Sequence, residues 1–275
     1  MSFFQRREFI KAIGAGLVFM PILGFSNARA QELNFASAIN KSGRQRMLSQ
    51  RLAKVWLMRL FSINKNHAVE IQKISFSLFE TQLNELASFL PSPEMKNTHG
   101  ILSSEWMVYK KMLELEPDKS QSEQLGRFYA QSNVVLDAAN ALTKAYEQAA
   151  SAKSSSMAKT INMAGYQRML SQRMFKNQLF ARAKIQVEET QRKLKEDQDT
   201  FLANHKILEG TRENTRLINQ NLALVSQQYF LYQKALSSDI NADGKSWEYM
   251  ASASENILKQ LNEIVELYEG VSAKA

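Results

Sequence analysis

The chain has no cysteine, which excludes disulfides, thiolate chemistry and any Cys-ligated metal, so its fold rests on a non-covalent core. Proline and glycine are scarce, at 4 and 10 of 275 residues, and Pro91, Pro93 and Pro117 fall in apparent connections. Long uninterrupted helices are the natural reading of such a composition. His67, His99 and His205 stand in separate segments without metal-ligand spacing and read as surface or loop residues. A Gly-rich phosphate loop, a nucleophile elbow and a paired-carboxylate motif are also missing, so we expect no cofactor, no metal and no enzymatic activity. The net charge is +8, but no basic run is interleaved with aromatics, which argues against a nucleic-acid partner.

Residues 1–30 read as an address label. Gln5-Arg6-Arg7-Glu8-Phe9-Ile10-Lys11 resembles a twin-arginine export motif and precedes an apolar run from Ala12 to Phe25. That run is short for a spanning helix, which needs about 20 residues, and Gly14, Gly16, Pro21 and Gly24 interrupt it. Ala28-Arg29-Ala30 supplies a small-x-small cleavage site. A retained signal anchor is the other reading of the same residues. Export to a periplasm is expected, and cleavage would remove four basic residues and one acid, lowering +8 to +5.

The remaining chain repeats. Ile39-Asn40-Lys41-Ser42-Gly43-Arg44-Gln45-Arg46-Met47-Leu48-Ser49-Gln50-Arg51 returns, 122 residues later, as Ile161-Asn162-Met163-Ala164-Gly165-Tyr166-Gln167-Arg168-Met169-Leu170-Ser171-Gln172-Arg173. Trp106 to Lys111 matches Tyr229 to Lys234, and Ser132 to Glu147 matches Ser254 to Glu269. Periodicity places helices at about 34–65, 68–90, 101–115 and 121–151, then 157–185, 187–208, 211–237 and 245–272. The cut between the fifth and sixth is weakly marked. We therefore expect an all-α chain: a first four-helix unit at 31–151, a second at 152–275, and up-down topology in each. Trp56, Trp106 and Trp247, with Met47, Leu48, Met169 and Leu170, read as core.

Within the motif, Ile39, Ser42, Gly43, Arg46, Ser49 and Gln50 share one helical stripe, as do Ile161, Ala164, Gly165, Arg168, Ser171 and Gln172. Glycine permits close backbone approach, and an arginine one turn later offers a planar fork of donors. That pairing suits a buried anion between two helices. The pattern Asn-x-[Ala/Ser]-Gly-x-x-Arg-Met-x-Ser-x-Arg resembles the P-box of the PilJ/NarX-like sensor domain of type IV pili chemotaxis transducers and nitrate/nitrite sensors.

The resemblance implies that the two units pair as a single-chain pseudo-dimer with the first and fifth helices face to face, and that Arg46 and Arg168 clasp one nitrate or nitrite, with Gly43 and Gly165 as close-approach residues and Lys41 beside them. Ser42, Ser49, Gln50, Ala164, Ser171 and Gln172 would line the surroundings. Met163 stands where the second copy would carry the counterpart of Lys41, so the site would be asymmetric. Arg51 and Arg173 lie off the stripe and are expected to pair within their own units, while Asn40 and Asn162 read as helix-end hydrogen bonders. The implied function is a soluble periplasmic nitrate- or nitrite-binding sensor reporting to a membrane sensor kinase, chemoreceptor or transporter. An envelope adaptor with a vestigial anion site is the reading from another class, and a different small anion or an uncharged metabolite is a third.

Overall fold

The computed structural model describes residues 33–152, 157–237 and 245–274, so the signal-like segment 1–30 lies outside them. Eight helices account for nearly all of the described chain. In order they are α1 (Phe35–Leu60), α2 (Lys65–Ala87), α3 (Pro93–Leu113) and α4 (Ser122–Ala152), then α5 (Ala158–Arg182), α6 (Val187–Glu209), α7 (Arg216–Ser237) and α8 (Lys245–Ser272). In the first unit α1 packs against α2 and α4, and α3 closes on α4. The second unit repeats this with α5 against α6 and α8, and α7 on α8. The chain is thus two tandem helical bundles, joined chiefly along α1 and α5, with α4 touching α5 and α8 touching α1.

This arrangement makes α1 and α5 central helices. Gln45 through Gln50 are buried on every side, as are Gln167 through Gln172, although four of the six side chains in each run are polar. A helix enclosed by three others has no solvent face, so each of its polar groups needs a partner from a neighbouring helix. Much of the chemistry below follows from that requirement.

Local signals explain the helix ends. Asn34 caps α1 in a reciprocal capping box with Ser37. Ser92 accepts from the Met95 amide and Pro93 occupies the first turn of α3, so that helix begins eight residues before its expected start at 101. The turn chemistry of Pro93 therefore signals an onset, which outweighs its breaker character. The α1–α2 and α5–α6 reversals have no glycine. Ser62 and Asn64 adopt positive φ of 56° and 44°, and Lys184 and Gln186 repeat this at 60° and 48°. The buried Ile63 and Ile185 anchor the two turns, donating to Met58 O and Phe180 O. Those left-handed residues supply the α5–α6 break that composition barely marked.

Trp56, Trp106 and Trp247 are buried, as are Met47, Leu48, Met169 and Leu170. Trp106 stacks on Phe79 with centroids 3.9 Å apart. His205 departs from its expected surface position. It is 6% exposed, lies parallel to Phe201, and its Nε2 bonds Ser226 Oγ at 2.8 Å. All three histidines lie on helices, and His67 is the exposed one.

Candidate functional site

Where α1 crosses α5, two glycines face two arginines. A Cβ built on Gly43 would stand 3.1 Å from Arg46 Nη2 and 3.7 Å from Arg168 Nη2. One built on Gly165 would stand 3.3 Å from Arg168 Nη2 and 3.5 Å from Arg46 Nη2. Both guanidinium tips thus converge on the space that the missing side chains leave open. Arg46 is 1% exposed and Arg168 fully buried. Burial pushes Arg46 down to about 10, with Tyr166 and Glu147 opposing the shift. For Arg168 burial comes first and the nearby Arg44 and Arg46 add to it, against Glu269 and Glu266. An arginine holds its proton at neutral pH even so, and two like charges remain focused on one point.

Four asparagines hold the pair. Arg46 Nη1 donates to Asn140 Oδ1 at 3.1 Å, and its Nη2 to Asn162 Oδ1 at 2.6 Å. Arg168 Nη1 donates to Asn262 Oδ1 at 3.2 Å, and its Nη2 to the Asn40 carbonyl at 3.2 Å. Each arginine therefore reaches across the axis to the opposite unit's first helix, while an asparagine of its own last helix braces it. Asn40 and Asn162 donate in turn to Glu269 and Glu147. The Nε atoms of both arginines lack a partner among the described residues. Asn40 and Asn162 are consequently part of the arginine network rather than helix-end bonders.

The other expected residues divide. Ser49 Oγ and Ser171 Oγ bond the carbonyls of Arg46 and Arg168, fixing the turn that carries each guanidinium. Gln50 and Gln172 donate to the Ser132 and Ser254 carbonyls, tying α1 to α4 and α5 to α8. Ser42 bonds its own helix at Ala38 O, and Ala164 is fully buried. Lys41 is not drawn into this group, because its ammonium bonds Glu85 on α2 at 2.6 Å.

A second polar tier lies further along α1 and α5. Lys54, fully buried, bonds Gln172 Oε1 at 2.6 Å, Ser254 Oγ at 3.1 Å and the Glu255 carboxylate, all in the second unit. Burial pushes it down to about 8 despite Glu255. Its counterpart Lys176 reaches back to Asn133 Oδ1 at 3.0 Å and Ser132 Oγ at 3.4 Å. Arg173 pairs with Asp197 inside its own unit, as expected. Arg51 does not, since it pairs across the axis with Glu255 and bonds Ser75 Oγ within its unit.

Sequence reasoning missed Asn140, Asn262, Glu147 and Glu269. The signal was present in the repeat: each pair is identical at an offset of 122 residues, inside segments that also keep Ser132, Leu136 and Tyr146. A polar residue retained twice among core residues marks a shared buried contact.

Substituting Gly43 or Gly165 with alanine tests how the gap is built. The Cβ meets the tip of a flexible side chain, and alanine is the better helix former by about 1 kcal/mol. Each variant is expected to unfold thermally within about 1 kcal/mol of the parent while displacing the guanidinium. A loss beyond about 2 kcal/mol would instead mean that backbone approach limits the space.

Fold and site together define a duplicated helical-bundle domain whose copies share a buried arginine pair. A family model described as type IV pili methyl-accepting chemotaxis transducer N-term matches residues 28–128 and again 149–267. The chain belongs to that family and carries its domain twice in tandem. No curated protein and no solved structure matches it. Among the described residues no helix is long and apolar enough to cross a membrane, and no cluster of three metal-ligating side chains occurs.

Proposed function

We propose that the α1–α5 clasp binds one small planar oxyanion, nitrate or nitrite, and that the chain is an exported periplasmic sensor reporting through a membrane chemoreceptor, sensor kinase or transporter. The observation that carries this reading is the convergence of two buried guanidinium tips beside Gly43 and Gly165. Two desolvated like charges repel, and an anion between them relieves the repulsion while accepting charge-assisted bonds from both forks. At about 1.5–3 kcal/mol each, three or four such bonds support micromolar binding, about −8 kcal/mol, after ordering costs. Nitrate offers three acceptor oxygens and nitrite two, so nitrate is expected to bind more tightly. Membership in a chemotaxis-transducer family supports the sensor role, and the twin-arginine-like segment supports export.

Binding would draw α1 and α5 together and shift a population between looser and tighter pseudo-dimers. Isothermal titration with nitrate, nitrite, sulfate and chloride tests the reading, with one nitrate per chain expected. Nitrate at about 100 times its Kd should add about 2.7 kcal/mol of stability, a rise of roughly 5–10 °C for a chain of this size. Two independent sites per chain would refute the shared clasp.

One observation favours the adaptor reading: asparagines already bond both guanidinium groups, so the interface is partly satisfied without an anion. Absence of both heat and thermal shift with every anion would select it.

A further inference from the structure

The clasp is not a bare pair of cations. Arg44, Arg46 and Arg168 face Glu147, Glu266 and Glu269 across α1, α5, α4 and α8, so three positive charges meet three negative ones. A monovalent anion entering this balanced group leaves an excess negative charge in a buried place. Either the anion binds weakly or a cation comes with it.

The structure holds a place for that cation at one end only. Asn40 is 6% exposed and its Nδ2 donates to Glu269 Oε2. Its Oδ1 is buried and has no partner among the described residues. Asn162, its counterpart, is different: its Nδ2 donates to Glu147, but its Oδ1 already accepts from Arg46 Nη2 at 2.6 Å. A neutral carboxyl facing a carboxamide forms two opposed hydrogen bonds, one donated by each group. At Asn40 one of those bonds exists and the acceptor for the other is free.

Resting on the anion-clasp reading above, we propose that nitrate or nitrite enters together with one proton, which is taken up by Glu269 and donated to Asn40 Oδ1. Anion and proton then add no net charge to the cluster. Burial already lifts the Glu269 carboxyl above the ordinary range; the Asn40 bond and the charges of Arg168 and Arg44 oppose this, while Glu266 reinforces it. An anion on Arg168 cancels part of the guanidinium's pull and drives Glu269 further toward its neutral form. Because the complex binds more protons than the free protein, affinity must fall as pH rises, by up to tenfold per unit between the free and bound titration points. The site would therefore report a small anion weighted by acidity.

The test is calorimetric titration of the chain with nitrate near pH 6.5 in two buffers of different ionisation enthalpy. Net proton uptake with nitrate, up to one per nitrate, is expected, with affinity rising as pH is lowered. Glu269→Gln keeps a donor for Asn40 Oδ1 without a titrating group, so it should bind nitrate independently of pH and with no proton uptake. Nitrate binding whose heat is the same in both buffers and whose affinity ignores pH would overturn the proton coupling while leaving the clasp standing. So would loss of binding in a folded Glu269→Gln. If no nitrate binds in any buffer, the clasp reading itself fails and the coupling with it. If Glu269→Gln does not fold, the two-buffer comparison on the parent chain decides alone.

Discussion

Replacing either Arg46 or Arg168 with alanine is expected to cut nitrate affinity by at least about 100-fold, roughly 2.7 kcal/mol, and the double substitution should do little worse than either single one. The reason is the sharing of one point by two forks. Each guanidinium tip lies within 4 Å of the space beside both glycines, so neither unit has a complete set of donors of its own. Removing one leaves an anion bonded on one side and unbalanced against Glu147 or Glu269 on the other. Arg46→Lys should fare nearly as badly, because an ammonium keeps the charge but loses the planar fork held by Asn140 and Asn162. Calorimetry on the folded variants reads this directly. Affinity within fivefold of the parent in either alanine variant would remove that arginine from the site.

The largest effect on stability is expected at Glu255. This one carboxylate serves both Arg51 and the fully buried Lys54, and it reaches them from the opposite unit. Glu255→Ala strands two cations inside the protein, which typically costs about 3–5 kcal/mol, or roughly 10 °C or more in Tm. Burial pushes the Glu255 carboxyl up, but Arg51 and Lys54, with their hydrogen bonds, outweigh it and hold the group well below the usual carboxylate range. A depressed carboxylate adds stability that is complete above its unfolded value, about 4.3, and fades as pH falls below it. Urea melts between pH 7 and pH 3 should therefore show the parent losing stability below about pH 4 and the variant losing less. A variant melting within about 1 °C of the parent at neutral pH would show that Lys54 and Arg51 find other partners.

The stripe of Gly43, Arg46, Gly165 and Arg168 was legible because a duplicated motif compares a sequence with itself: what packing alone would let drift was kept twice. The facing of α1 and α5 followed from the family resemblance that this motif carries. The acids were not legible. Glu269 lies 229 residues from Asn40, and a helical stripe reports only what shares its own helix. That no acid lies on the α1 stripe therefore said nothing about acids arriving from α4 and α8. Arg51 misled for a similar reason, since its repeat partner Arg173 finds Asp197 nearby whereas Arg51 meets only Ser75 there. His205 looked like a surface residue because an isolated histidine carries no pattern. Its burial depends on Phe201, one turn earlier on α6, and on Ser226, which lies beside it only once α6 and α7 are packed.

The unequal placement of acids bears on how this chain can evolve. Ser75 and Asp197 occupy equivalent positions, as do Asn133 and Glu255. Two copies of the first unit, paired as α1 and α5 are here, would bury Arg51 and Lys54 twice with no carboxylate at these positions. Two copies of the second would set Asp197 and Glu255 against Arg173 and Lys176, two carboxylates for two cations. The first half on its own therefore lacks the counter-charges of a self-sufficient homodimer, although it keeps the full motif. Fusion of two genes is ordinarily reversible by splitting them again. Here the dependence runs one way: the first half draws its buried carboxylate from the second, so splitting the chain would leave Arg51 and Lys54 reliant on a partner that carries Glu255.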